Sequence, residues 1–187
     1  MIEWITSLET AFLHGVQELA TPLWDTAWTA VTYFGESGIF WIALSLVLMI
    51  PKKTRRAGFS MGLALMIGLI LGNGVMKNLF ARPRPYQADP TLSIRLAWGE
   101  MSTDYSFPSG HTLASFEAAT ALFVRHKKWG VAALVLAFFV SVSRICLVVH
   151  YPTDVLFGAL FGIVFAILAT KIVDTLFMMY EEKMKRI

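Results

Sequence analysis

One stretch of twenty residues without a charge constrains the fold of this 187-residue chain more than any other feature. Residues Ala57 to Met76 read AGFSMGLALMIGLILGNGVM, with no Asp, Glu, Lys or Arg. At about 1.5 Å per residue, a helix of this length measures about 30 Å, which matches the hydrocarbon core of a bilayer. Hydrophobic residues make up 56% of the chain and charged residues 16%. We therefore predict a membrane protein with several crossing helices.

The apolar pattern predicts five membrane-crossing segments. They lie at about residues 33–50, 57–79, 111–124, 129–149 and 152–179. Residues 36–179 thus form a transmembrane core, which is interrupted by a polar loop at residues 80–110 that holds the candidate site. The predicted fold class is an all-α, polytopic membrane bundle of five to six helices, in a single domain of residues 1–187.

The N-terminal segment, residues 1–35, has a different pattern. Its apolar residues share one helical face: Ile5, Leu8, Phe12, Val16 and Leu19. This spacing is typical of an amphipathic helix that lies in the membrane interface. A second short helix is predicted after Thr21, with Pro22 at its first position. We predict that both helices are interfacial.

The basic residues predict the orientation of the chain. Ten of the sixteen Lys and Arg residues occur in three short runs, at residues 52–56, 125–128 and 183–186. With five crossing segments, all three runs fall on one side, which the positive-inside rule assigns to the cytoplasm together with the C-terminus. The helix ends near Lys77, His111 and His150 then meet on the opposite, outer side.

Three cations follow the uncharged segment, in the stretch KNLFARPRP. Lys77, Arg82 and Arg84 lie at the predicted outer end of the helix. One interpretation is that these side chains reach the lipid headgroups. Because positive charge is normally biased toward the inside, a second interpretation is that they bind an anion. The planar fork of arginine donors suits the oxygens of a phosphate.

The stretch FPSGHT combines several features of an anion site. Ser109 supplies a hydroxyl, and Gly110 permits close approach of the backbone to a ligand. His111 then opens a predicted helix, whose free N–H groups attract negative charge. The alternative is that Ser109 only caps the helix.

The stretch SRICLVVHYPTD places further polar residues at a helix end. Arg144 lies inside an apolar run, where a charge is costly unless it is paired. His150 and Asp154 are four residues apart, so a turn of helical pitch brings imidazole and carboxylate together. Asp154 can then fix the tautomer of His150 and stabilise its charged form. The alternative is two unrelated polar residues at the interface.

Other classes of site are not indicated by the sequence. Asp89, Glu100 and Asp104 lie in the polar loop without metal-ligand spacing, so we expect no metal. The single cysteine, Cys146, excludes an intramolecular disulfide. The net charge of +3 is small, and most basic residues lie in short runs beside apolar segments, so the sequence gives no indication of a nucleic-acid partner.

The three clusters resemble the motifs of the type 2 phosphatidic acid phosphatase family, whose superfamily includes the vanadium-dependent haloperoxidases. The first motif, Lys, six residues and Arg-Pro, is matched by Lys77, Arg84 and Pro85. The second motif, Pro-Ser-Gly-His, is matched by Pro108 to His111. The third motif, Ser-Arg, five residues, His, three residues and Asp, is matched by Ser143, Arg144, His150 and Asp154. The resemblance covers about residues 57–172.

The resemblance implies an integral membrane lipid phosphatase that needs no cofactor. It assigns phosphate binding to Lys77, Arg84, Ser109, Gly110 and Arg144. His150 would attack phosphorus and form a phosphohistidine, and Asp154 would orient its ring. His111 would protonate the leaving oxygen. Arg82 is not a motif position, and we assign it a supporting electrostatic role.

The expected reaction is hydrolysis of a lipid phosphomonoester or diphosphate at the outer face of the cell membrane. Undecaprenyl diphosphate, phosphatidylglycerophosphate and phosphatidate are the candidate substrates, and Trp98 and Tyr105 of the loop are expected to contact them. The alternatives are a phosphotransferase that uses the same intermediate, a lipid A phosphatase, and a protein that only binds or transports an anion. The last alternative leaves His111 and His150 without a role. The expected partners are the substrate and membrane lipids.

Overall fold

The computed structural model of the chain describes residues 2–97 and 103–185. Trp98, Glu100 and Arg186, which the predictions above include, lie outside these residues. The described residues form helices and connecting segments, with no strand among them. The helices are α1 (Ile2–Leu19), α2 (Pro22–Thr32), α3 (Ile39–Met49), α4 (Arg55–Ile67), α5 (Lys77–Phe80), α6 (Pro85–Ala88), α7 (Gly110–Arg125), α8 (Lys127–Cys146) and α9 (Pro152–Lys185).

Two non-α segments join helices into longer runs. A 3₁₀ segment, Tyr33–Gly38, links α2 to α3, and a π-helical segment, Gly68–Met76, links α4 to α5. Among the described residues, four runs are long and apolar enough to cross a membrane: Pro22–Met49, Arg55–Ala88, Lys127–Cys146 and Pro152–Lys185. The predicted all-α membrane bundle is therefore confirmed.

Five crossing segments were predicted, but the one at residues 111–124 is not among these four runs, because the helix there, α7, has 16 residues, fewer than the about 20 that a full crossing takes. Helix bounds also differ from the predicted ones, and α9 continues to Lys185, past the predicted end at residue 179. The first crossing run begins at Pro22, because α2 continues through the 3₁₀ segment instead of ending before residue 33. Helix α8 ends at Cys146, before the predicted end at residue 149, because Val148 has a left-handed backbone with φ of 57°. That conformation is unfavourable for a β-branched residue and cannot continue a helix. Residues 1–35 were predicted to be interfacial; for α1 this stays a prediction, whereas α2 is part of the first run that is long and apolar enough to cross.

Helix α7 occupies the centre of the bundle, although it has only 16 residues. It packs against α4, α8 and α9. The side chains in this contact are small, and the fully buried alanines include Ala118, Ala119 and Ala121 on α7 and Ala137 and Ala166 on the neighbouring helices. Small residues allow helix backbones to approach closely, which strengthens packing inside a membrane.

Gly162 shows how close α7 and α9 are. A Cβ atom added at this glycine would lie 2.8 Å from the carbonyl oxygen of Leu113 and 2.9 Å from Cβ of Phe116. The first of these atoms belongs to the backbone and cannot move aside alone. The sequence spacing Gly158-x3-Gly162 thus marks a close contact between the two helices.

We expect Gly162→Ala to lower the free energy of unfolding by about 1–3 kcal/mol, because overpacking forces α7 and α9 apart. Thermal unfolding in detergent micelles measures this loss. Gly15→Ala is the matched control, because a Cβ atom there has nothing within 4 Å. Equal stability of the two variants would show that the α7–α9 contact is looser than described.

Candidate active site

The three sequence clusters meet at one cavity of about 990 Å³. One end of the cavity, here called the cationic end, is lined by Lys77, Arg84, Gly110, His111, Arg144 and His150. The other end, here called the apolar end, is lined by side chains of α3, α4 and the π-helical segment, including Ile42, Leu46, Leu65, Met66 and Leu69. The structure therefore brings six of the eight predicted site residues to one surface. The other two, Ser109 and Asp154, are fully buried beside it.

Two of the cations share one carboxylate. Arg84 Nη2 lies 2.5 Å from Asp104 Oδ1, and Arg84 Nε donates to the Asp104 carbonyl oxygen at 3.0 Å. The Lys77 ammonium forms an ion pair with the other oxygen of the same carboxylate. Asp104 was not predicted as a site residue, because an isolated acidic residue in a polar loop gives no signal of its own. Its carboxylate lies where an anion bound to Lys77 and Arg84 would lie.

Arg144 brings a third cation to the cavity from α8. Its side chain is buried, and Nη1 donates to the hydroxyl of Thr32 at 2.5 Å. Its Nε has no hydrogen-bond partner. A buried guanidinium with an unused donor is costly in a protein interior. An anion in the cavity would reduce that cost.

His150 is held between a carboxylate and a guanidinium. Its Nδ1 lies 3.5 Å from Asp154 Oδ2, and its Nε2 lies 3.3 Å from Arg84 Nη1. Burial lowers the pKa of His150 to about 3, so the ring is neutral near pH 7. With Nδ1–H directed at Asp154, the lone pair is on Nε2, the nitrogen that faces the cations.

Asp154 is itself fixed by several donors on one oxygen. Its Oδ2 accepts a hydrogen bond from the Tyr151 amide at 2.9 Å and another from the hydroxyl of Ser106. The same hydroxyl lies 3.4 Å from His150 Nδ1. Ser106 was not predicted, since it lies just before the FPSGHT stretch and outside any motif. The imidazole and carboxylate that the four-residue spacing placed together are therefore neighbours in the structure.

His111 also has a carboxylate neighbour. Its Nε2 lies 3.3 Å from Glu36 Oε2, close enough for an ion pair but not aligned as a hydrogen bond. Glu36 belongs to the 3₁₀ segment, in which Ser37 and Gly38 have φ values of 48° and 67°. This kink turns the segment toward α7. The only signal for Glu36 in the sequence was a single charge in an otherwise apolar stretch.

The alternative that Ser109 only caps α7 is not supported. Ser109 occupies the N-cap position, but its side chain makes no capping hydrogen bond. Its hydroxyl accepts a hydrogen bond from Thr112 at 3.1 Å, and its amide donates to the Asp154 carbonyl oxygen at 3.1 Å. The serine thus connects the start of α7 with the start of α9.

The residues expected to contact substrate from the loop are only partly described. Trp98 lies outside the described residues, and Tyr105 is exposed and does not line the cavity. Among the described residues, no group of three His, Cys, Asp or Glu side chains converges as a metal site.

The low pKa of His150 predicts a pH dependence of stability. In the unfolded chain a histidine titrates near pH 6.5, so between pH 6.5 and about 3 the unfolded state binds more protons than the folded state. The free energy of unfolding is therefore highest, as far as His150 is concerned, above pH 6.5, and it falls as the pH decreases below that value. We expect the Tm in detergent to drop more between pH 7 and pH 5 for the wild type than for His150→Gln. His126→Gln, at the other end of α7, is the control; identical curves for wild type and His150→Gln would contradict the prediction.

The fold and the cavity define a membrane-embedded helical protein with a cationic site at one end of its bundle. The sequence profile described as the PAP2 superfamily matches residues 54–178 of the chain. Because the match covers well over half of the chain, and all three motifs lie within it, the chain belongs to the PAP2 superfamily. The resemblance stated from the motifs is thereby confirmed.

Individual relatives agree with this membership. The chain is 34% identical over 137 residues to an undecaprenyl-diphosphatase of Sulfolobus acidocaldarius, a match that covers 72% of this chain and 64% of that relative. The chain thus spans slightly less than two thirds of that relative's length. The crystal structure of Aquifex aeolicus LpxE is similar with a TM-score of 0.73 and 28% identity, covering 86% of this chain and 93% of that one. The transmembrane PAP2-type phosphatidylglycerolphosphate phosphatase of Bacillus subtilis gives a TM-score of 0.72 and 25% identity, covering 91% and 87%.

Proposed function

We propose that this membrane protein hydrolyses a lipid phosphomonoester or diphosphate through a phosphohistidine on His150, at the outer face of the cell membrane. The observation that carries the proposal is the cavity itself, because one space joins three cations and two histidines to an apolar groove. PAP2 membership and the phosphatase names of the relatives support the reaction class. The basic runs on the opposite side of the bundle support the outer face.

The phosphate group would occupy the cationic end. Lys77, Arg84 and Arg144 would contact its oxygens, together with the Ser109 hydroxyl and the Gly110 amide at the start of α7. On binding, the phosphate would displace the Asp104 carboxylate from Lys77 and Arg84. The Arg144 Nε donor, which lacks a hydrogen-bond partner, would gain one.

The reaction would proceed in two displacements at phosphorus. In the first, the lone pair on His150 Nε2 forms a bond to phosphorus while the bond to the lipid oxygen breaks. Protonated His111 gives its proton to that departing oxygen. Asp154 stabilises the positive charge that develops on the phosphorylated imidazole. In the second displacement, His111 accepts a proton from water, which attacks phosphorus and releases phosphate from His150.

The three cations supply the charge stabilisation that this chemistry needs. Phosphoryl transfer depends mainly on positioning and on neutralising charge at the equatorial oxygens. Two guanidinium groups and one ammonium meet that need, so we propose a reaction without a metal ion. Glu36, beside His111, would stabilise the protonated ring before proton transfer.

The lipid tail would lie in the apolar end of the cavity. Leu46, Met66 and Leu69 line this end and are also exposed on the bundle surface. In a bilayer these positions face lipid, so a substrate can enter sideways without leaving the membrane. An isoprenoid diphosphate or a glycerophospholipid phosphate fits a phosphate joined to a long apolar tail, and the names of the relatives point to the same two classes.

The two histidines should respond differently to mutation. His150→Ala should abolish phosphate release and leave no trapped phosphoenzyme, because the nucleophile is gone. His111→Ala should lower kcat/KM about 100- to 10,000-fold for a lipid phosphate but far less for a 4-nitrophenyl ester, whose leaving group needs no proton. Labelled phosphate release and acid-quenched phosphoenzyme measure both effects, with undecaprenyl diphosphate, phosphatidylglycerophosphate, phosphatidate and lipid A as substrates.

Several outcomes of this experiment would count against the proposal. If His150→Ala releases phosphate as fast as the wild type, His150 is not the nucleophile. Equal losses for both ester types in His111→Ala would exclude its role as the proton donor. If the label passes to a second lipid or sugar instead of water, the protein is a phosphotransferase. The absence of any release from all four lipids, in the presence of excess chelator, would overturn the metal-independent hydrolase assignment.

Removing the Asp104 carboxylate should tighten anion binding. Asp104→Asn leaves Lys77 and Arg84 without their present counter-ion, so inorganic phosphate and vanadate no longer compete with it. We expect Ki for vanadate to fall several-fold. Asp89→Asn is the matched control, because that carboxylate belongs to the same polar loop but pairs with His14. A vanadate Ki that rises in Asp104→Asn would mean that Asp104 organises the site rather than competing for it.

A further inference from the structure

Helix α1 contributes one buried acidic side chain to the cationic end of the bundle. Glu9 is only 7% exposed, although α1 is otherwise a surface helix. Its Oε2 accepts a hydrogen bond from Arg82 Nη2 at 2.6 Å, and its Oε1 accepts one from the Thr153 amide at 2.7 Å. Both carboxylate oxygens are therefore used. Glu9 does not belong to any of the three motifs.

Arg82 connects Glu9 to Asp154. Its Nη1 donates to Asp154 Oδ1 at 2.6 Å and to the Thr153 hydroxyl at 2.8 Å. Its guanidinium carbon lies 3.9 Å from the centre of the Tyr151 ring, where the aromatic face stabilises the cation. One guanidinium thus binds two carboxylates through different nitrogen atoms.

This arrangement divides the two oxygens of Asp154 between two tasks. Arg82 binds Oδ1, whereas Oδ2 faces His150, Ser106 and the Tyr151 amide. Rotation of the Asp154 carboxylate about its Cβ–Cγ bond would break the contacts of both oxygens. Neither Arg82 nor Glu9 lines the cavity, so neither contacts a substrate bound there.

Helix α1 is held in place by polar contacts at Glu9 and by apolar contacts at Leu13. Leu13 lies one helical turn after Glu9 and is fully buried in a cluster with Leu92, Val148 and Tyr151. On a neighbouring face Trp4, Leu8, Phe12 and Leu19 are exposed. Such a face suits the interface of a bilayer, while the Glu9 face contacts the turn that carries His150.

We infer that Glu9 and Arg82 are positioning residues for the nucleophile, acting through Asp154 on His150. This inference rests on the proposed roles of His150 and Asp154. Without the Glu9 carboxylate, Arg82 keeps only Asp154 as an ion-pair partner and can shift to bind both of its oxygens. That shift turns Oδ2 away from His150 Nδ1. A displacement of this size can lower a reaction rate about 100-fold, although no group that contacts substrate has changed.

The test compares Glu9→Gln with Glu18→Gln, an exposed position on the same helix. The substrate is whichever of the four lipids named above the wild type hydrolyses fastest. We expect Glu9→Gln to lower kcat and the rate of phosphoenzyme formation about 10- to 100-fold, with KM and the vanadate Ki within about twofold of wild type. Glu18→Gln should match the wild type.

Arg82→Lys provides a second variant, because an ammonium cannot bridge the two carboxylates through separate nitrogens as a guanidinium does. We expect a similar loss of kcat, and no further loss in the double variant with Glu9→Gln, since both changes break one chain of contacts. Glu9→Asp should recover part of the rate. Unfolding in detergent is measured for every variant.

The outcomes separate this inference from the proposed function. If His150→Ala is inactive but Glu9→Gln keeps the wild-type kcat, the positioning role is wrong and the nucleophile stands. If His150→Ala is active, the proposed function itself fails. A loss of activity that merely follows the loss of folded protein, or a vanadate Ki that rises with kcat unchanged, would also overturn the positioning role.

Discussion

The cost of burying charge at the end of a membrane bundle governs the structure around the cavity. Each ionised side chain that leaves water loses several kcal/mol of solvation unless a counter-ion and hydrogen bonds replace it. The bundle buries Lys77, Arg84 and Arg144 together, so the three cations also repel one another. Carboxylates from distant parts of the chain offset this cost. Helix α1, the polar loop and the kinked 3₁₀ segment each supply one of these carboxylates: Glu9, Asp104 and Glu36.

The carboxylates fall into two kinds by exposure. Asp154 is 0% and Glu9 7% exposed, and both are fixed by several short hydrogen bonds. Asp104, in contrast, has a side chain that is 46% exposed and reaches the cations from a loop. A carboxylate that keeps partial contact with water loses less when it is displaced than one that is fully buried. The buried pair therefore belongs to the permanent framework, whereas Asp104 is suited to exchange with an incoming anion.

The sequence predicted the features that depend on local pattern. Length and apolarity predicted the crossing helices, Pro22 and Pro152 began helices as expected, and the spacing of His150 and Asp154 predicted their proximity. Three partners of the site could not be predicted this way: Glu9, Glu36 and Asp104. Glu9 and Glu36 are more than 70 residues away from Arg82 and His111, their partners at the site, and Asp104 lies in a loop without regular spacing. The role of each therefore depends on tertiary packing. The early end of α8 also escaped prediction, because it results from the backbone at Val148 and not from a helix-breaking residue type.

The union of a cationic site with an apolar groove follows from the energetics of lipid substrates. Moving one buried CH₂ group from the bilayer into water costs about 0.8 kcal/mol, so extracting a tail of many carbons costs far more than any phosphate contact returns. An enzyme for such a substrate must bring its site to the lipid. The phosphate, however, must stay near the interface, where water can reach it. A cavity with its cations at the helix ends and its apolar end between α3, α4 and the π-helical segment meets both conditions.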